Sequence, residues 1–430
     1  MTEFKHLRPE DLPKGWTVSL FKDLATYNLG RTPPRNAKQF WTDGVYPWVS
    51  IADMSPYGII SDTKEKVSEE AHSKLYRRRL VPAGAFLMSF KLTIGRVARL
   101  GIPAYHNEAI ISIFPKNRDI LLDDYLFYYL SQIDYAEYQD TAVKGMTLNR
   151  GKIDKLEIAL PPLREQRRIA HVLSTVQTAV EQQARLIALT RELKSALMRK
   201  LFTEGLHGEK QKETEIGLVP ESWEVMPLGE IMDGTPKNGM YKPLEAYGSG
   251  TLILRIYDFS NEGDIVASAS NRINADESEI STYTLQEDDI VTNRVNSLSH
   301  LGKTALVGEL VEPMLFESNM MKYRVDKTKA LPSYIMRLLN SPIGKLQIVA
   351  RAKRAVAQSS INQGSLKAVL LPIPRIEVQE EIVNIIDIVI ENIEVHGKRK
   401  TILEELFRTL LHQLMTGQIR VNEIDLPGLS

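Results

Sequence analysis

Cysteine is absent from the 430 residues. That excludes disulfides and thiolate zinc sites, and the composition suits a reducing, cytoplasmic setting. No apolar run reaches the 18 or so residues a membrane helix needs, and Asn384 and Asp387 interrupt the best candidate. The region after Met1 is polar and lacks the apolar core of a secretory signal. Net charge is also missing, with 54 basic against 54 acidic residues. A nucleic-acid binder acting alone carries a basic excess, so any such binding is confined to local patches or shared with a partner.

Catalytic signatures are equally scarce. There is no G-x-x-x-x-G-K-[ST] phosphate loop and no glycine-rich nucleotide fingerprint after a strand. No Asp-Pro-Pro-Tyr or Asn-Pro-Pro-Tyr sequence of an amino-methyltransferase occurs. The eight histidines are scattered, and His106, His300 and His412 have no ligand at metal spacing. No catalytic, cofactor or metal residue is therefore assigned.

What the chain does contain is a long helical run from Pro161 to Thr203. Apolar residues at Ile169, Val172, Leu173, Val176, Val180, Ile187, Leu193, Leu197 and Leu201 mostly advance by threes and fours, which predicts a coiled-coil seam. Pro161 and Pro162 precede it and Gly205 closes it. Such a run makes a rod of about 60 Å, suited to a spacer. The run recurs from Pro374. Pro161 and Pro374, Gln166 and Gln379, Ile169 and Ile382, Leu193 and Leu406, Leu197 and Leu410, and Leu201 and Leu414 are all 213 positions apart. A fixed offset with matching prolines marks an internal duplication.

The duplication extends to the blocks before the rods. Leu12-Pro13-Lys14-Gly15-Trp16 answers Val219-Pro220-Glu221-Ser222-Trp223, and Trp48–Ser55 answers Ile253–Ser260. Ala85–Ser89 answers Asp289–Asn293, Tyr125–Leu130 answers Tyr334–Leu339 as a short helix, and Leu148-Asn149 answers Ile361-Asn362. The offset drifts through these blocks, from about 204 to 213, so they have diverged where the rods have not. The expected organisation is a first mixed α/β domain over 1–160, a spacer helix over 161–204 and a linker over 205–218. A second domain over 219–373, a second spacer helix over 374–417 and a tail over 418–430 follow. The fold class is α/β (α+β), two mixed domains and two long helices related by an internal repeat.

Candidate binding residues are basic and small polar ones in equivalent loops. Before the first rod stand Lys144, Thr147, Asn149, Arg150 and Lys152; before the second stand Arg351, Lys353, Arg354 and Gln358. After the paired strands stand Lys91, Thr93 and Arg96 in one half and Arg294, Asn296, Ser297 and Lys303 in the other. Lysine and arginine neutralise phosphate, while Asn, Gln and Thr reach phosphate or base edges. The run Tyr76-Arg77-Arg78-Arg79 has no counterpart in the second half and fits either a phosphate contact or a solvated turn.

Leu160-Pro161 ahead of Gln166, its echo from Leu371-Pro372 to Gln379, the Thr214–Trp223 opening and the Leu197–Gly205 ending echoed at Leu410–Gly417 carry a resemblance. With them, the chain resembles the specificity subunit of type I restriction-modification systems over essentially its whole length. One departure is Ile376-Glu377-Val378-Gln379 where the first rod has Arg164-Glu165-Gln166. The resemblance implies two target-recognition domains of mixed α/β fold, each reading one half of a split double-stranded DNA target, with the two rods packed as an antiparallel coiled coil about a pseudo-twofold and setting the unread gap. It implies a non-catalytic subunit docking two methyltransferase subunits, with S-adenosylmethionine, and ATP and Mg for cleavage, bound by methyltransferase and translocase-nuclease partners. The competing expectation is a coiled-coil scaffold with two protein-binding modules and no DNA.

Overall fold

The computed structural model describes residues 12–138, 148–266, 271–354 and 358–421. The chain forms two compact units, residues 1–183 with 399–430, and residues 184–398.

The first unit is built on a five-stranded sheet in the order Ala25–Leu29, Ile110–Pro115, Phe86–Ser89, Val97–Leu100, Ile59–Ile60. Beside it, Tyr46–Val49 pairs with Glu65–Val67 and, in parallel, with Tyr105–His106. The central strand Phe86–Ser89 is buried throughout, as a strand covered on both faces must be. The helix Asp123–Leu130 presents six consecutive buried residues, Tyr125 to Leu130. An all-round apolar helix of that kind belongs inside a core. Its tyrosine hydroxyls are accommodated by carbonyls: Tyr125 donates to Ala159 at 2.8 Å.

The second unit repeats the plan. Its four-stranded sheet runs Met232–Asn238, Met320–Val325, Ile290–Asn293, Thr304–Leu306, matching the first four strands of the other sheet in order. Tyr247–Leu254 pairs with Arg272–Ile273 and, in parallel, with Met314–Phe316. The helix Pro332–Asn340 takes the place of Asp123–Leu130, and Tyr334 donates to the Pro372 carbonyl at 2.9 Å. Segment 205–218, expected as a linker, contributes to a hairpin of Gln211–Thr214 with Gly217–Pro220.

Both long helices form, over Leu163–Glu204 and Ile376–Met415. The first unit holds the start of the first helix and the end of the second. Ile169 and Leu173 share its core with Phe407, Leu411, Leu414 and Met415. The second unit holds the reverse combination, with Met198, Leu201 and Phe202 against Ile382, Val383, Ile386 and Ile390. Opposite ends meet in each unit, which is the antiparallel arrangement. Leu193 and Leu406, counted in the seam from the sequence, instead stand 56% and 43% exposed. The reason is angular. Leu193 follows Ile187 by six residues rather than seven, which swings it about 100° off the stripe, and Met198 is buried in its stead.

A matched glutamine fixes each helix start. Gln166 accepts the Leu122 N–H (3.0 Å) and donates to the carbonyls of Ile120 (2.9 Å) and Pro161 (3.0 Å). Gln379 accepts from Leu331 (2.8 Å) and donates to Lys329 (3.1 Å) and Pro374 (2.8 Å). Each buried amide thereby joins helix, domain helix and entering strand. Glu165 is buried too. It accepts two bonds from Arg420 (2.7 and 2.9 Å) and one from the Trp16 indole (3.2 Å). The helix ends are matched as well. Gly417 (φ +69) lies against Pro13, and Gly205 (φ +67) against Pro220 and Trp223; a Cβ at Gly417 would come within 2.2 Å of the Pro13 ring.

Candidate nucleic-acid interface

The two basic stretches that the sequence separates by about 50 residues in each half meet in space. In the first unit Ser89 N–H donates to the Arg96 carbonyl and Gly95 N–H to the Ser89 carbonyl, both at 2.9 Å. In the second, Asn293 N–H donates to Lys303 and Gly302 N–H to Asn293, again at 2.9 Å. These pairs close the loops 90–95 and 294–302. Gly95 and Gly302 have φ of +79 and +76, and their tight neighbours are the Tyr135 ring and Ile348. A side chain there meets both strain and a clash.

The segment leading to each rod then docks on this loop by the same bond. Leu148 N–H donates to the Phe90 carbonyl (3.0 Å), and Ile361 N–H to the Arg294 carbonyl (2.9 Å). The second unit adds a ribbon in which Val295-Asn296 pairs with Ser360-Ser359, while Lys353 bridges Ser360. Lys91 and Thr93 are thus brought to Asn149, Arg150 and Lys152, and Arg294, Asn296 and Ser297 to Lys353 and Gln358. Lys144 and Thr147 lie outside the described residues.

Several of these side chains are engaged in holding the loops. Asn149 caps a helical turn by accepting the Lys152 N–H (3.0 Å), as Asn362 does for Ser365 (2.7 Å). Arg96 donates to the carbonyls of Ile51 (3.4 Å) and Met54 (3.3 Å). Lys303 donates to the carbonyl of Phe259, the counterpart of Met54, and lies over its ring at 5.0 Å. Burial lowers the Lys303 ammonium pKa. The matched pair Arg96 and Lys303 therefore shares a structural task. Arg294 donates to the Ser318 carbonyl (3.0 Å), and Arg351 to the Gln347 carbonyl (3.1 Å) and side chain (2.5 Å).

The others face solvent at least in part. Thr93, Arg150, Ser297, Lys353, Arg354 and Gln358 are exposed; Lys91, Lys152 and Asn296 are half-buried. Ser297 lies 3.0 Å from His300 Nδ1. The exposed set combines cations with short hydrogen-bonding side chains on loops, the chemistry of phosphate and base-edge contact. Among the described residues, no group of three His, Asp or Glu is placed to hold a metal, and no helix is long and apolar enough to cross a membrane.

Two stacked arginines escaped the sequence reading. Arg35 lies over Trp41 (4.2 Å) and Trp48 (5.0 Å) and pairs with Glu65 (3.0 Å). Arg255 lies over Tyr257 (4.9 Å) and Tyr247 (5.3 Å), with Glu317 at 3.5 Å. Burial raises the Glu317 carboxyl pKa, a tendency Arg255 opposes. Only the pairing of distant strands assembles these stacks, so residue spacing gave no signal beyond the local Arg-Thr-Pro-Pro-Arg and Arg-Ile-Tyr sequences.

The duplicated α/β units, the paired long helices and the twin loop clusters define a protein built from two copies of one recognition domain. A family model, the type I restriction modification DNA specificity domain, matches residues 13–191 and again 220–405. The chain belongs to that family. It is 26% identical over 428 residues to the MjaVIII type I restriction enzyme specificity subunit of Methanocaldococcus jannaschii, covering 98% of this chain and 97% of the relative. It is 23% identical over 383 residues to the EcoKI specificity subunit of Escherichia coli, covering 86% and 81%. The S subunit structure of the M. genitalium type I system shares the fold with a TM-score of 0.56 at 15% identity, covering 96% of this chain and 99% of that one.

Proposed function

We propose that this chain is the DNA-specificity subunit of a type I restriction-modification complex, each recognition domain reading one half of a bipartite duplex target. The observation that carries it is the doubled family match, joined to a loop cluster closed by the same backbone bonds in both units. The paired helices set the unread gap. Two methyltransferase subunits dock on them and supply S-adenosylmethionine chemistry at adenine; restriction subunits supply ATP- and Mg-dependent cleavage. The complex acts in the cytoplasm, where its target DNA lies.

Duplicate docking is supported by an apolar pair that recurs off the seam. Leu189 and Leu193 stand 51% and 56% exposed in the second unit, and their counterparts Ile402 and Leu406 stand 63% and 43% exposed in the first. Residues four apart share one helix face. The same exposed face in both copies suits two copies of one partner. The scaffold alternative loses to the family match.

The test is a methylation map. The chain is expressed with the methyltransferase of its own system in a host lacking adenine methylation. A split motif with a fixed unspecified gap is expected. Absence of modification, with the methyltransferase folded and bound, overturns the reading.

A further inference from the structure

The run Tyr76–Arg79 belongs to the first unit alone. Its counterpart region in the second unit contains no basic residue from Glu277 to Asp289. Arg77 and Arg78 both adopt positive φ, 50° and 56°. Left-handed backbone is strained for a residue with a side chain, so the surrounding structure must impose it. It does so through two backbone bonds, Arg78 N–H to His72 O (2.9 Å) and Arg79 N–H to Tyr76 O (3.0 Å).

Beneath the turn lies an aromatic base. The Tyr76 ring stacks on Tyr105 with centroids 3.8 Å apart, and its hydroxyl donates to the Arg31 carbonyl (2.7 Å). The Tyr105 hydroxyl meets His72 Nδ1 at 2.7 Å, and His72 stacks on Tyr46 at 3.8 Å. Arg78 is tied down to Glu69 at 3.1 Å. Arg77 and Arg79 are exposed and have no ion-pair partner among the described residues.

The turn is also electrically continuous with the loop 90–95. Glu108 acts on the Tyr76 hydroxyl, and Lys91 and Arg35 act on Glu108. Glu108 thus links the aromatic base of the turn to Lys91 of that loop. Planar guanidinium forks on a pre-set turn match phosphate oxygens, because little ordering remains to be done on binding.

We propose that the Arg77–Arg79 turn contacts the DNA phosphates of the half-site held by the first domain. The second domain has no equivalent, so the two half-sites are gripped with unequal electrostatic strength. This rests on the DNA-specificity reading above.

The experiment uses the chain assembled with its methyltransferase subunits and a duplex carrying both half-sites. Affinity is measured from low to moderate salt. The double variant Arg77→Gln/Arg79→Gln is expected to reduce the slope of log K against log salt by roughly two, at about 0.9 per phosphate contact. Each single variant should remove about half of that, with preference among target sequences unchanged, because phosphate contacts carry no base information. A wild-type slope in both single variants overturns the proposal while the DNA reading stands. Loss of sequence-preferred binding in the unaltered complex overturns the DNA reading and the turn with it.

Discussion

At the scale of single residues, the histidine read from the sequence as having no chemical role acquires a thermodynamic one. His106 is almost fully buried, and desolvation lowers its pKa from 6.5 to about 4. The folded unit therefore holds it neutral, while the unfolded chain takes up its proton below about pH 6.5. Stability from this residue is full above that pH and is lost as pH falls towards 4, by roughly 3 kcal/mol at most. Urea titrations of the first unit across this window should show the loss, and His106→Gln, which cannot titrate, should flatten it. The sequence showed His106 without neighbours at metal spacing, but not its burial, which depends on the pairing of Val49 with His106. Likewise it placed Arg96 and Lys303 in equivalent loops without revealing that both reach for equivalent backbone carbonyls.

At the scale of elements, the rods were legible because a repeat of threes and fours needs no tertiary context. Of the two seam residues that went astray, Leu193 and Leu406, the first sits at a break in that step. The short helices were legible from their internal match. The ribbon of Val295-Asn296 with Ser359-Ser360 was not, since two-residue strands carry no periodicity. Gln166 and Gln379 were seen as equivalent, and the structure explains the equivalence by three buried hydrogen bonds each. Replacing Gln379 with Leu leaves an N–H and two carbonyls unpaired, at a cost of about 2–4 kcal/mol. Hydrogen exchange should report that loss in the second unit only, and Gln166→Leu should report it in the first only.

At the scale of the whole molecule, duplication was the most legible feature and the DNA target the least. A fixed offset survives in a linear chain, whereas recognition depends on which loop side chains remain available after the fold has used its share. The exposed apolar pairs give the duplication a stoichiometric test. Leu189→Gln/Leu193→Gln should release one methyltransferase copy, Ile402→Gln/Leu406→Gln one copy, and the quadruple variant both. Mass measurement of the assembled complex checks this, and retention of two copies by the quadruple variant would contradict the docking reading.

The first unit's core takes Phe407, Leu411, Leu414, Met415 and Val421 from the far end of the chain. Its Glu165 is neutralised by a residue 255 positions later. The second unit is continuous. On a ribosome the domain that emerges first is therefore the one that closes last. The second can pack as soon as Lys398 has cleared the exit tunnel, whereas the first waits with an open apolar face for the final turns of the second helix. A chain halted between these points presents one finished recognition domain and one unfinished one. Completion of the first domain thus reports that translation has passed the second long helix.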